Sequence, residues 1–222
     1  MINKLNYTDL SDIKVIGFDL DQTLFPRNEG INQAIRGYNY KKVAEANDID
    51  LSEAKKLFDH AYDIEQLSGS QTLKKLNVAN PADVMQQALE KADIVGILTP
   101  DPKTKELLDK LSEKYTIDLI TGSPHSIAMS KLKQIDIDVN LFENVLTGEK
   151  YAKSTGQAFE EWLTRHPELK PNNYIYIGDR VSTDSVMPAQ YGIRSILVNC
   201  IKDDPDAKGP QEKTLFDIEK YL

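Results

Sequence analysis

Asp19 and Asp21 stand one residue apart at the end of an apolar run, in Val15-Ile16-Gly17-Phe18-Asp19-Leu20-Asp21-Gln22-Thr23-Leu24. Carboxylates at that spacing can divide phosphoryl transfer between them. One attacks phosphorus, and the other moves a proton to the leaving oxygen and later takes one from water. The plainer reading is a strand-to-loop turn, where Asp and Thr are common. Asp179 and Asp184 form a second acidic set behind another apolar run, Tyr174-Ile175-Tyr176-Ile177-Gly178. Hard oxygen ligands on short side chains suit Mg²⁺, which takes few protein carboxylates and keeps several waters. Here the plainer reading is a helix N-terminus, at which Asp184 is a favourable anion.

Two further positions supply what these acids lack. Thr121-Gly122 follows Ile117-Asp118-Leu119-Ile120 and precedes Ser123-Pro124, so a hydroxyl and a backbone amide stand where a helix begins. That is a reasonable phosphate cradle. Lys153 offers the positive point charge that a phosphate and crowded aspartates both need. Each is weak alone, because Thr and Ser before helices are usually caps and surface lysines are abundant. Their order, at three different strand ends, is what carries weight. Two unit charges 4 Å apart repel by about 4 kcal/mol at an effective dielectric near 20. Four carboxylates and a phosphate dianion could not share a cleft without compensation, and one Mg²⁺ with Lys153 would supply three positive charges.

The elements that must position these residues are legible as alternating runs. Val15–Phe18, Ile117–Ile120, Asn144–Leu146, Tyr174–Ile177 and Ser195–Val198 read as short buried strands of a parallel sheet. Helical patterns fall between them from about residue 100. Asp101-Pro102 is a cap and first-turn proline ahead of Leu107, Leu108 and Leu111, and Ser123-Pro124 repeats that signal before Ile127, Ala128 and Leu132. Phe159, Trp162 and Leu163 mark a third helix. This alternation predicts an α/β fold, a doubly wound Rossmann-like parallel sheet, with residues 1–25 and 93–222 in the core. Residues 26–92 carry helical spacing and no convincing strand, and another cap-proline signal at Asn80-Pro81. They read as a helical cap inserted after the first strand, where a lid could cover a site.

Bulk properties exclude several classes. With 35 acidic against 27 basic residues the formal charge is −8, and no basic run exists to follow a nucleic-acid backbone. No apolar run approaches the roughly 20 residues of a membrane helix. Met1–Leu10 lacks the apolar centre of a signal peptide, so a cytoplasmic location is the default. The single Cys200 cannot form an internal disulfide and reads as buried. His60, His125 and His166 lack metal-ligand spacing and read as surface or structural residues.

The ordered set resembles the haloacid dehalogenase superfamily of phosphohydrolases. Phe18-Asp19-Leu20-Asp21-Gln22-Thr23 is similar to its first motif, Thr121 to its second, Lys153 to its third, and Gly178-Asp179 with Asp184 to its fourth. The matches span residues 14–184, and the insertion lies where that family's first-type helical cap belongs. Thr99-Pro100-Asp101-Pro102 and Ser68-Gly69-Ser70-Gln71-Thr72-Leu73 are similar to pyrimidine 5′-nucleotidase-like members. Gly122 and Ser154 depart from the asparagine and proline common beside the second and third motifs.

The resemblance implies a catalytic set of Asp19, Asp21, Thr121 and Lys153. Asp19 is the nucleophile of an aspartyl-phosphate mechanism, and Asp21 is the acid and base. Thr121, the Gly122 amide and Lys153 bind phosphate. Asp19, the Asp21 carbonyl and Asp179 hold Mg²⁺, with Asp184 acting through water. The substrate is expected to be a small phosphomonoester, with no nucleic-acid or membrane partner. A nucleoside monophosphate leads and a sugar phosphate follows. Tyr38, Tyr40, His60, Tyr62 and Gln66 are specificity candidates by side-chain type. A phosphomutase shares every motif. A dehalogenase would not need Asp21, an idle nucleotide-binding member would need none of these acids, and a response regulator would lack the insertion.

Overall fold

All five apolar runs form strands in the computed structural model, which describes residues 7, 9–65, 69–92 and 94–222. They are β1 (Val15–Phe18), β2 (Thr116–Thr121), β3 (Val145–Thr147), β4 (Tyr174–Gly178) and β5 (Arg194–Leu197). The order across the sheet is β3-β2-β1-β4-β5, and every pair is parallel. All four residues of β1 are buried, as are all five of β4, which is why these segments lack polar alternation. β3 starts one residue later than the apolar run suggests. The backbone N–H of Asn144 donates to the Asp118 carboxylate at 2.8 Å, outside the ladder.

The chain forms two compact units, residues 28–98 and residues 1–27 with 99–222. The first contains α1 (Glu29–Asn47), α2 (Leu51–Asp59), a π-helical turn (His60–Ile64), α3 (Gly69–Lys75) and α4 (Pro81–Lys91), and no strand among its described residues. Asn28 caps α1 by accepting from the Ile31 N–H at 3.2 Å, and Asp50 caps α2 from Glu53 at 2.9 Å. Asn80 adopts a left-handed backbone before α4 and makes no side-chain cap bond, in contrast to the cap expected there. Tyr40, Val43, Phe58, Leu73 and Val84 are buried together, and Tyr40 meets Phe58 edge-on with centroids 5.5 Å apart. The unit runs on to residue 98: Ile94 and Leu98 are buried, and Asn28 donates to the Ile97 carbonyl at 3.4 Å. Gln66 and Ser68, singled out above, lie outside the described residues.

The larger unit wraps its sheet with α5 (Pro102–Ser112), α6 (His125–Gln134), α7 (Gln157–Arg165) and α8 (Met187–Gln190). Asp101 caps α5 from Lys103 at 3.0 Å, with Pro102 in the first turn as expected. Trp162 on α7 is fully buried among Ile120, Phe159, Tyr174 and Tyr176. It approaches β1 so closely that a Cβ on Gly17 would stand 2.6 Å from the indole, so only glycine fits at that strand position. The outer edge of β5 is not left bare. Leu197 donates to the Pro210 carbonyl at 2.9 Å and accepts from Glu212 at 2.8 Å, so the chain beyond the polar stretch Lys202–Gly209 returns to cover it. Among the described residues, no helix is long and apolar enough to cross a membrane.

Candidate active site

Parallel pairing in register brings the chemistry-bearing residues to one edge. Phe18 is level with Leu119 and Ile177, so Asp19, Thr121 and Asp179 all emerge at the carboxyl ends of adjacent strands. Ligand sites of open α/β sheets form at that edge. The Asp19 N–H donates to the Ile177 carbonyl at 2.8 Å, which fixes where its carboxylate begins.

Lys153 lies in a 3-10 turn and points into the edge, not outward. Its Nζ donates to Asp19 Oδ1 at 2.6 Å, to Asp184 Oδ1 at 2.9 Å and to the Tyr176 hydroxyl at 3.1 Å. The Tyr176 hydroxyl in turn donates to the Ile120 carbonyl at 2.6 Å, so this partner of the lysine is itself anchored to β2. Asp184 is wholly buried in a π-helical turn, Val181–Val186, a local winding that recurs at functional sites. Its second oxygen accepts from the backbone N–H groups of Asp179 and Arg180 at 3.2 and 3.0 Å. Gly178 makes this fold-back possible, because a Cβ there would stand 2.5–2.6 Å from the Asp184 side chain.

Asp19, Asp179 and Asp184 each present an oxygen within 4.8 Å of the others. Asp179 Oδ1 is buried without a hydrogen-bond partner. A hard-oxygen cluster with one orphaned carboxylate oxygen fits a divalent cation of the Mg²⁺ kind. The electrostatics agree. Burial pushes the Asp19 carboxyl up to about 7 against the opposing Lys153 ammonium, and Asp184 and Asp21 add to the rise. Burial and then Asp184 raise Asp179 to about 6, opposed by Arg180 and Lys153. Burial opposes the Lys153 charge, yet Asp19, Tyr176 and Asp184 hold its pKa well above the ordinary lysine range.

Thr121 is buried at the end of β2, and its hydroxyl accepts from the Ser123 N–H at 3.0 Å. Gly122 is exposed, with open space where a side chain would stand. Asp21 lies outside the three-carboxylate cluster, and both of its side-chain oxygens are taken. Ser123 Oγ donates to Oδ2 at 2.6 Å, and Lys131 Nζ donates to Oδ1 at 2.5 Å and to Ser123 Oγ at 2.8 Å. Ser123 is therefore not the helix cap expected from Ser123-Pro124. Pro124 occupies the cap position of α6, and the serine side chain turns to Asp21.

Ser123, Lys131 and Tyr176 are the residues that sequence reasoning missed. Lys131 had a readable signal, since it follows Ile127 and Ala128 by four and three positions and so shares the buried face of α6. His166 is buried against Asp118 at 2.8 Å, while His60 and His125 are exposed. Cys200 is only half-buried, contrary to expectation, because it lies beyond the end of β5. Tyr38 and Tyr40 spend their hydroxyls within their own unit, on Gln87 at 2.9 Å and Asp59 at 2.6 Å.

The family model described as haloacid dehalogenase-like hydrolase matches residues 16–198. No curated protein matches the chain in sequence. A phosphatase of that superfamily from Thermococcus onnurineus superposes with a TM-score of 0.68 at 20% identity, covering 94% of this chain and 97% of the other. A haloacid dehalogenase-like family hydrolase from Streptococcus pneumoniae gives 0.69 at 19%, covering 95% and 99%. A 2-haloacid dehalogenase from Pseudomonas syringae gives 0.56 at 18%, covering 95% and 98%. These likenesses are of fold, and they span more than one chemistry.

Proposed function

The chain belongs to the haloacid dehalogenase-like hydrolase family, and from that premise we propose that it is a Mg²⁺-dependent phosphomonoester hydrolase acting through an aspartyl-phosphate on Asp19. The observation that carries this reading is the pairing of two differently dressed aspartates. Asp19 is bound by Lys153 within the acidic cluster, and Asp21 is held apart by Ser123 and Lys131. A halide leaves without a proton, whereas an alkoxide leaving from phosphorus needs one, so a fixed second carboxyl favours phosphoryl chemistry over dehalogenation.

Asp19 attacks phosphorus as the bond to the leaving oxygen breaks and Asp21 gives that oxygen a proton. Water then attacks the same phosphorus, its proton passes to Asp21, and the bond from phosphorus to Asp19 Oδ breaks to give inorganic phosphate. Lys153 holds Asp19 in its attacking position, and Thr121 with the Gly122 amide would take phosphate oxygens. Asp19, Asp179 and the Asp21 carbonyl, backed by Asp184, would hold the divalent cation, which when bound offsets the clustered negative charge and polarises phosphoryl oxygens. Residues 26–92 are proposed as the cap that sets specificity, and a nucleoside monophosphate is the substrate class carried forward. That class is supported by the resemblance at Thr99–Pro102 and Ser68–Leu73 alone.

The test is phosphate release from a panel of phosphomonoesters, nucleoside monophosphates included, with Mg²⁺ and with chelator. We expect turnover that needs the metal and falls by at least about 10³-fold in Asp19→Asn, as loss of a covalent nucleophile commonly does. Metal-independent turnover, or full activity in the variant, would reject the reading.

A further inference from the structure

Lys131 is a buried ammonium that takes no part in the bond making and breaking described above. Only 2% of the residue is exposed, on a helix face otherwise occupied by Ala128 and Leu132. A charge in such a place carries a desolvation cost unless it is paired and hydrogen-bonded. Its ion-pair partner is the Asp21 carboxylate, whose own side chain is 31% exposed and could be hydrated without help. The pairing is therefore not needed to satisfy Asp21. It serves to fix it.

We infer that Lys131, acting with Ser123, is a positioning residue that sets the rotation of the Asp21 carboxyl for proton transfer at the leaving oxygen. Three bonds close a triangle: Lys131 to Asp21 Oδ1, Ser123 to Asp21 Oδ2, and Lys131 to Ser123. Each carboxylate oxygen is thus pinned by its own donor. A carboxyl group has about four lone-pair sites, so one donor per oxygen leaves a site free to carry the proton that passes to the leaving oxygen. Positioning within a fraction of an ångström is what separates an efficient proton donor from a nearby carboxyl. Lys153 performs the equivalent task for Asp19, so each aspartate of the pair has its own buried lysine. This role rests on the phosphohydrolase reading.

The experiment compares wild type, Lys131→Met, Lys131→Arg, Ser123→Ala, Asp21→Asn and the Lys131→Met/Asp21→Asn double variant in single turnover with Mg²⁺. Two substrates are used, p-nitrophenyl phosphate and an alkyl phosphate. Methionine keeps the apolar stem and removes the charge. Because general acid catalysis contributes about 10²–10⁴-fold, Lys131→Met should slow the alkyl ester by roughly 10²-fold and the nitrophenyl ester, whose leaving group needs no proton, by less than about tenfold. KM should stay within about threefold, Lys131→Arg should recover part of the loss, and the double variant should be no slower than Asp21→Asn. Ser123→Ala should show the same leaving-group bias, more weakly. Melting temperatures in chelator, where no turnover occurs, should show non-additive coupling between positions 131 and 21. Equal losses on both esters, a loss confined to KM, or additive effects in the double variant would overturn the assignment. Wild-type protein that releases phosphate from neither ester would remove the phosphohydrolase reading and this role with it. Turnover by wild type with Lys131→Met unchanged would remove this role alone.

Discussion

Asp19 sits in an environment that opposes its own charge. It is buried, with Asp184 and Asp21 near, and Lys153 offsets only part of that load, so its carboxyl titrates near 7 against 3.8 in an unstructured chain. Asp179 is displaced in the same direction, to about 6. The sign for stability follows from linkage. With folded-state values raised, the unfolded chain ionises first, so the contribution of these groups is complete below pH 4 and is lost as pH rises to about 7. In chelator, thermal unfolding of wild type against Asp19→Asn should shift in favour of the variant across pH 4–7. Mg²⁺ should stabilise wild type more at pH 7 than at pH 5, because the cation binds ionised carboxylates. A melting-temperature difference that is flat with pH would contradict the crowding described here. Asp19, Asp21 and Asp179 were legible because acids at strand ends announce themselves. Lys153 was legible only through its place in the ordered set of motifs, since its own sequence neighbourhood resembles any surface turn. Its bonds to Asp19, Asp184 and Tyr176 now set it apart from other lysines.

At the scale of elements, the site depends on backbone that approaches side chains closely. The Gly178 position lets Asp184 fold back onto the N–H groups of Asp179 and Arg180. Gly178→Ala would force that carboxylate away, with an expected cost of about 1–3 kcal/mol from overpacking, measured by denaturant unfolding. The same change should weaken Mg²⁺ binding in calorimetric titration, because Asp179 would lose the turn that aims it. Unaltered affinity in a folded Gly178→Ala protein would mean that Asp184 does not organise the cluster. The sheet was readable from the sequence because buried parallel strands lack alternation and stand out as apolar runs. The cap at Asp101 was equally plain. Ser123-Pro124 carried the same local signal as Asp101-Pro102, yet the serine bonds to Asp21. A cap and a site residue cannot be told apart by a dipeptide when a charge 102 positions away decides the outcome. The helical unit extends to residue 98, beyond the bound of 92 read from the sequence, and Ile94 and Leu98 in that added stretch are buried.

For the molecule as a whole, a net charge of −8 does not describe the site. Four carboxylates, Asp19, Asp21, Asp179 and Asp184, meet two buried ammonium groups, Lys131 and Lys153. The carboxylates outnumber those ammonium groups, an excess that a divalent cation would offset, and the orphaned Asp179 oxygen marks where it would bind. The larger unit thus contains every residue of the proposed chemistry, while the helical unit carries its own core and its own polar network of Arg36, Asp59 and Asp63. The central claim is covalent: phosphorus passes through Asp19. The most direct measurement is acid-quenched single turnover of phosphate-labelled p-nitrophenyl phosphate by Asp21→Asn, which can still be phosphorylated but lacks the base for hydrolysis. Hydroxylamine-labile label is expected on the peptide that contains Asp19, absent when Asp19→Asn is added. Label on any other residue, or nitrophenol release with no label on the protein, would contradict it.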